Sequence, residues 1–230
     1  MKMSSEPQLT PYRATLLLKA MQQELLLKQS QNRLRDYQPY SKQLEFHAAG
    51  KYYRERLFLA GNRCGKTMAG AFELAIHLTG LYPEWWEGKR FDKPVRAWAA
   101  GVTGESTRDV VQEKLFGPPD RKEDWGTGAI PKERLGDIST GRGISGAIDM
   151  ASIRHTSGLW SSLGLKSYEK GREKWQGAAL EIIWLDEECD ISLYTEALTR
   201  TNETGGIVYM TATPLLGMSE VMRRFLLDHA

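Results

Sequence analysis

The sequence predicts an α/β domain built on a central, mainly parallel sheet flanked by helices, and three observations carry that expectation. From residue 56 onward, short apolar runs alternate with helix-like stretches, the pattern of a parallel sheet covered on both faces. A glycine-rich turn, AGNRCGKT at 60–67, joins one such run directly to a helix. Another run, LEIIWLDEE at 180–188, ends in carboxylates, and ligands bind at the carboxyl edge of such sheets. With 230 residues, 41% of them hydrophobic, the chain can bury one sizeable core.

Taken in order, residues 1–11 are polar, contain two prolines and read as a loose arm. Residues 12–35 read as one amphipathic helix, with Leu16, Leu17, Leu18, Met21, Leu25, Leu26, Leu27 and Leu34 on a broad face. That face can fold onto its own domain or meet another subunit. Arm and helix make up an N-terminal region, 1–35, ahead of a main domain, 36–230. Pro39 marks a turn before a short helix, Ser41–Ala49. RLFLA at 56–60 is a strand, and a helix runs from Lys66 to Thr79, where Gly80 ends it. VRAWAAGV at 95–102 is a second strand, followed by a helix over 105–116 with Thr103 as its cap. Residues 117–147 are rich in Gly, Pro and charge and read as a surface excursion, with Trp85 and Trp86 packed beneath it. Strands are expected at 148–155, 180–187 and 206–214, and helices at 192–201 and 219–228.

Charge is uneven. Residues 1–56 carry ten Lys or Arg against five Asp or Glu, while 181–203 carry seven acids and one Arg. The bias suits a metal site near 181–203 and basic surface elsewhere. The two cysteines, Cys64 and Cys189, have neither metal-ligand spacing nor a disulfide framework. Both are expected as small packed residues in a reducing cytoplasm. The polar start lacks a signal-peptide pattern, and no apolar run approaches the ~20 residues of a membrane span, so no membrane partner is expected.

The segment Ala60, Gly61, Asn62, Arg63, Cys64, Gly65, Lys66, Thr67 has the form A/G-x4-G-K-T between a strand and a helix, the context a phosphate-binding loop requires. Backbone N–H groups of 61–66 can wrap phosphates, and the helix N-terminus adds a favourable field. Lys66 can reach the β and γ phosphates, and the Thr67 hydroxyl can ligate Mg2+, a cation that prefers oxygen. On the acidic strand, Asp186 can hold Mg2+ and Glu187 can polarise an attacking water. Glu188 is expected as surface charge. The two motifs together predict a P-loop NTPase of the ASCE type that hydrolyses ATP.

With these motifs in place, the chain resembles the large terminase subunits of tailed bacteriophages, of the short-tailed enteric type. Further likenesses are YSKQLEF at 40–46, GREKWQG at 171–177, YTEALTRT at 194–201 and MTATPLLGMS at 210–219. The resemblance implies that Gln43 reads adenine and that Thr211, Thr213 and Pro214 couple hydrolysis to movement. It implies a motor that drives double-stranded DNA into a procapsid, as a homo-oligomeric, pentameric ring with a portal protein and a small terminase subunit. It also implies work in the host cytoplasm, with transient docking on the procapsid. Many relatives have an Arg where this chain has Gln176. The missing cation then falls to Arg63 in cis, or to Arg172 or Arg200 reaching into a neighbouring subunit, with Arg172 favoured. Large terminases also carry a nuclease domain. No acidic cluster here could supply it, so cleavage of DNA by this chain is not expected. The residues leave open a helicase-like ATPase, a P-loop kinase for a small molecule and a non-catalytic nucleotide-binding module.

Overall fold

The computed structural model describes residues 11–30, 32–141, 143–214, 217 and 219–227. The strands are β1 (Glu55–Leu59), β2 (Arg96–Gly101), β3 (Leu135–Thr140), β4 (Ile148–Arg154), β5 (Trp160–Ser167), β6 (Ile182–Asp186) and β7 (Ile207–Ala212). They form one sheet in the order β1-β7-β6-β2-β5-β4-β3. From β1 through β5 every pairing is parallel, and β4 and β3 extend the sheet antiparallel. The expected mainly parallel α/β sheet is therefore the one observed. The strand carrying Thr211 lies between the phosphate-loop strand and the acidic strand.

The helices are α1 (Pro11–Ser30), α2 (Arg33–Asp36), α3 (Ser41–Ala49), α4 (Lys66–Thr79), α5 (Gly104–Ser106), α6 (Glu113–Phe116), α7 (Ile191–Asn202) and α8 (Glu220–Leu226). Side chains alternate across the central strands, as the period of two demands. Ile182, Trp184, Ile207 and Tyr209 join a core with Phe72 and Ile76 of α4 and with Leu115 and Phe116 of α6. Ile183, Leu185, Val208 and Met210 join a second core with Leu193 and Tyr194 of α7 and Met222 of α8. Burial on both faces explains why these strands read as continuous apolar runs, each fully buried aliphatic side chain contributing about 1.5–3 kcal/mol.

Several expectations need correction. The single helix over 12–35 is broken: Asn32 caps a separate turn, its side chain accepting from the Arg35 amide at 3.1 Å. Leu34 is buried, but Leu16, Leu17, Leu18 and Met21 are exposed, so this part of the face does not fold onto the domain. Residues 1–10, the side chains of Leu25, Leu26 and Leu27, and Leu215, Leu216, Met218 and Asp228 lie outside the described residues. The 117–147 excursion contains β3 and buries Trp125, Ala129 and Ile130. β5 was not expected at all. The helix over 105–116 is α-helical only at its ends. Its middle, Thr107–Gln112, is π-helical, and there the buried Gln112 side chain bonds Gly146 and Ile148. The Thr103 cap is present as a capping box with Ser106. Trp85 and Trp86 pack on His47, not under the excursion. Cys64 is exposed and Cys189 buried. Among the described residues, no helix is long and apolar enough to cross a membrane.

Candidate nucleotide site

Three strand ends converge at the carboxyl edge of the sheet. Leu59 pairs with Ala212, and Asp186 pairs with Thr211, so the phosphate loop, the acidic turn and the 211–214 segment meet there. The loop bends through left-handed backbone at Arg63 (φ 62°) and Gly65 (φ 74°) before α4 begins at Lys66. Glycine takes that conformation freely and arginine does so rarely. The bend leaves Gly61, Asn62, Arg63 and Cys64 exposed around the opening, with Ala60 half-buried behind them. The Lys66 ammonium is buried and donates to the Gly61 carbonyl at 2.9 Å, across the loop.

Asp186 is the hub of the site. Its Oδ1 accepts from the Thr67 hydroxyl at 3.0 Å and from the Thr211 hydroxyl at 2.7 Å. Thr211 accepts in turn from the Trp184 indole N–H at 2.8 Å. Burial pushes the Asp186 carboxyl up to about 6, and the neighbouring Glu187 pushes the same way. The two hydroxyls and Lys66 oppose that rise. Glu187 has left-handed backbone (φ 66°), its amide donates to the Thr211 carbonyl at 2.8 Å, and its Oε2 accepts from the Thr213 amide at 3.1 Å. The Thr213 hydroxyl donates to Asn62 Oδ1 at 3.1 Å, tying the 211–214 segment to the loop. Pro214 follows, exposed.

Gln43 lies behind the loop. Its Oε1 accepts from the Tyr40 amide at 2.8 Å and its Nε2 donates to the Gly65 carbonyl at 2.9 Å, with the residue only 2% exposed. One end of the amide caps its own helix and the other braces the loop, so reading a base would require one of these bonds to be exchanged. Glu188 is half-buried, not freely exposed. Both its carboxylate oxygens are shielded without a hydrogen-bond partner among the described residues, and burial with Glu187 raises its pKa.

The arginines are dispersed. Arg63 is exposed in the loop itself. Arg172 and Arg200 both lean on one buried carboxylate, Glu196, at 2.8 Å and 3.1 Å. The Arg200 carbonyl accepts from the Leu180 amide, just ahead of β6. That is the opposite end of a five-residue strand, roughly 16 Å from the acidic turn at ~3.3 Å per residue. The Arg200 guanidinium is engaged by Glu196 on its own helix. Gln176 is exposed.

Two participants escaped the sequence reading. The Tyr168 hydroxyl donates toward the Asp186 carbonyl at 2.9 Å and the Glu187 carbonyl at 3.1 Å. Nothing in its local sequence signals this. Behind the loop, Glu73 of α4 is fully buried between Arg56 of β1 and His47 of α3. Burial would raise the Glu73 pKa, but Arg56, His47 and His77 overrule it and hold the carboxyl well below the ordinary range. A charged residue in a helix that otherwise reads as apolar was the available signal.

Fold and site together define a P-loop α/β domain. The family model described as "Terminase large subunit, T4likevirus-type, N-terminal" matches residues 57–229, and the chain belongs to that family of large terminase subunits. It is 39% identical over 210 residues to the large terminase subunit of Salmonella phage P22, covering 84% of this chain and 42% of that protein. It is 25% identical over 208 residues to the large terminase subunit of Enterobacteria phage LP7, covering 84% and 43%. The chain thus spans less than half the length of these relatives. The large terminase of the thermophilic bacteriophage D6E shares the fold. Its complex with ADP superposes with a TM-score of 0.54 at 16% identity, over 82% of this chain and 43% of that one. A second crystal form gives 0.53 at 18% identity, over 76% and 39%.

Proposed function

We propose that this domain hydrolyses ATP and that hydrolysis powers translocation of double-stranded DNA into a viral procapsid. The observation that carries the reading is the Thr67–Asp186–Thr211 cluster beside Lys66 at the mouth of the loop. Family membership and the ADP complex of the D6E relative support it. The loop amides and Lys66 hold the phosphates, with Lys66 exchanging the Gly61 carbonyl for phosphate oxygen. Thr67 Oγ1 and Asp186 Oδ1 form an oxygen-only pair 3.0 Å apart. That pair fits Mg2+, which takes one or two protein oxygens and keeps several waters. When bound, the ion neutralises charge on the β and γ phosphates.

Glu187 polarises the attacking water, with Oε2 pinned by Thr213 and its other oxygen left to face the water. Thr211 touches Asp186 and Thr213 touches both Glu187 and Asn62. A change at the γ-phosphate therefore reaches the 211–214 segment through three hydrogen bonds, which is the coupling role. Gln43 selects adenine. Arg172 supplies the trans cation in a pentameric ring. The ring works in the host cytoplasm, docked transiently on the procapsid portal with a small terminase subunit, and holds DNA through its backbone phosphates in a salt-sensitive way.

The test is the ATPase rate with and without duplex DNA, portal-bearing proheads and small terminase. Stimulation by these partners is expected. Unwinding of a forked duplex would favour a helicase instead, and ATP binding without turnover under every condition would favour an assembly module.

A further inference from the structure

The acidic turn is held from two sides. On the β7 side, the Glu187 amide donates to the Thr211 carbonyl and its carboxylate accepts from the Thr213 amide. On the β5 side, the Tyr168 hydroxyl reaches it, 2.9 Å from the Asp186 carbonyl, 3.1 Å from the Glu187 carbonyl and 3.4 Å from the Ala100 carbonyl. A hydroxyl has one proton, so the two shorter contacts share it.

Glu187 depends on such bracing. Its φ of 66° is a conformation that residues bearing a Cβ rarely adopt. Freed at its carbonyl, the residue would relax toward negative φ and turn its Cα–Cβ bond away from Thr213. The Tyr168 ring is itself fixed against Trp175, 6.4 Å between centroids, and Trp175 packs edge-on against Trp98 of β2. This aromatic cluster places the hydroxyl under the turn.

We infer that Tyr168 is a positioning residue that keeps the Glu187 carboxylate aimed at the attacking water. The inference rests on the assignment of Glu187 to water activation. Tyr168 acts through the backbone of the turn, to whose carbonyls its hydroxyl donates.

The experiment combines Tyr168→Phe with Glu187→Gln in a double-mutant cycle, read as ATP binding and single-turnover hydrolysis. Phe keeps the ring and removes only the hydroxyl. Alone, Tyr168→Phe should slow hydrolysis about tenfold, the loss of one hydrogen bond felt in the transition state. KM for ATP should stay within about twofold, because ground-state binding is untouched. In the Glu187→Gln background the same change should cost less than about twofold, since no carboxylate remains to be aimed.

A merely structural Tyr168 would slow both backgrounds equally, and that result overturns the inference, as does an unchanged rate for Tyr168→Phe alone. Wild-type hydrolysis by Glu187→Gln alone would instead remove Glu187 from water activation, and the inference would fall with it. p-Aminophenylalanine at position 168 puts an N–H donor in the same place and should restore the rate. Should the Phe variant not fold, a tenfold deficit in the amino variant would overturn the inference by itself.

Discussion

Gly70→Ala places one methyl group between the phosphate-loop helix and the acidic strand. A Cβ at Gly70 would stand 2.6 Å from Cε2 and Nε1 of Trp184 and 2.9 Å from its Cζ2. The ring has nowhere to retreat. It is fully buried, lies parallel to Tyr209 at 6.3 Å and donates to Thr211 at 2.8 Å. Overpacking of this kind costs about 1–3 kcal/mol. Displacing the indole also loses a hydrogen bond worth about 1 kcal/mol. Alanine in place of glycine favours a helix by about 1 kcal/mol, so the net loss is about 1–3 kcal/mol. Urea unfolding should show a lower midpoint at unchanged slope, the sign of altered stability without altered compactness. ATP turnover should fall as well, because Trp184 orients the Thr211 hydroxyl that bonds Asp186. Equal or greater stability in the alanine variant would show that helix propensity outweighs the contact, and the packing argument would fail.

Lys66→Ala removes the charged phosphate contact while the fold survives, so ATP binding weakens and turnover is lost; wild-type hydrolysis would remove Lys66 from the mechanism. Mixing Arg172→Ala chains with Lys66→Ala chains, each inactive alone, should restore activity in mixed rings, because the intact ATP site borrows Arg172 from its neighbour. No rescue in rings shown to be mixed would count against Arg172 acting across the interface. Two groups make acid destabilising, against the opposite effect of Asp186, whose raised pKa of about 6 lets the folded state take up its proton first. Burial lowers the His77 pKa from its ordinary value of 6.5, so the unfolded state takes up that proton first as pH falls below about 6.5. Glu73 is held well below its ordinary 4.5. Its contribution is complete above that value and is lost as pH falls toward the folded-state pKa. In thermal melts across this range, Glu73→Gln should be less stable at neutral pH by about 3–5 kcal/mol, since Arg56 is left buried and unpaired. Its acid limb should be flatter, and an unaltered acid limb would show that Glu73 is not the titrating group.

The parts legible in the sequence were those with strong local chemistry. α4 begins at Lys66 and stops at Gly80 because two left-handed glycines bracket it, and α3 matched because Pro39 precedes it and Gln43 reaches back to the Tyr40 amide. β6 and β7 are apolar runs because both faces are buried. β5 is equally central yet reads WSSLGLKS. Its small residues are dictated by neighbours distant in sequence: a Cβ at Gly164 would meet Trp98 at 2.8 Å. No local rule reveals that. The long helix over 12–35 failed because Asn32 caps a separate turn, which apolar periodicity does not register. In the site, the phosphate loop and the acidic turn were readable as motifs, and their meeting follows from the strand order. Glu73 could be singled out as a charge in an apolar helix, but its partners Arg56 and His47, and Tyr168, were not readable, because their contacts span 17 to 26 positions along the chain.

The central claim is that Asp186 and Glu187 divide the work of one ATP site, the first with the metal and the second with water. Parallel measurements of ATP binding and hydrolysis in Mg2+, for the wild type, Asp186→Asn and Glu187→Gln, test it most directly. Glu187→Gln should bind ATP as the wild type does and turn it over ~10²-fold more slowly or worse. Asp186→Asn should lose magnesium-dependent binding itself. Identical binding and rates in the two variants, or undiminished hydrolysis by Glu187→Gln, would contradict the account.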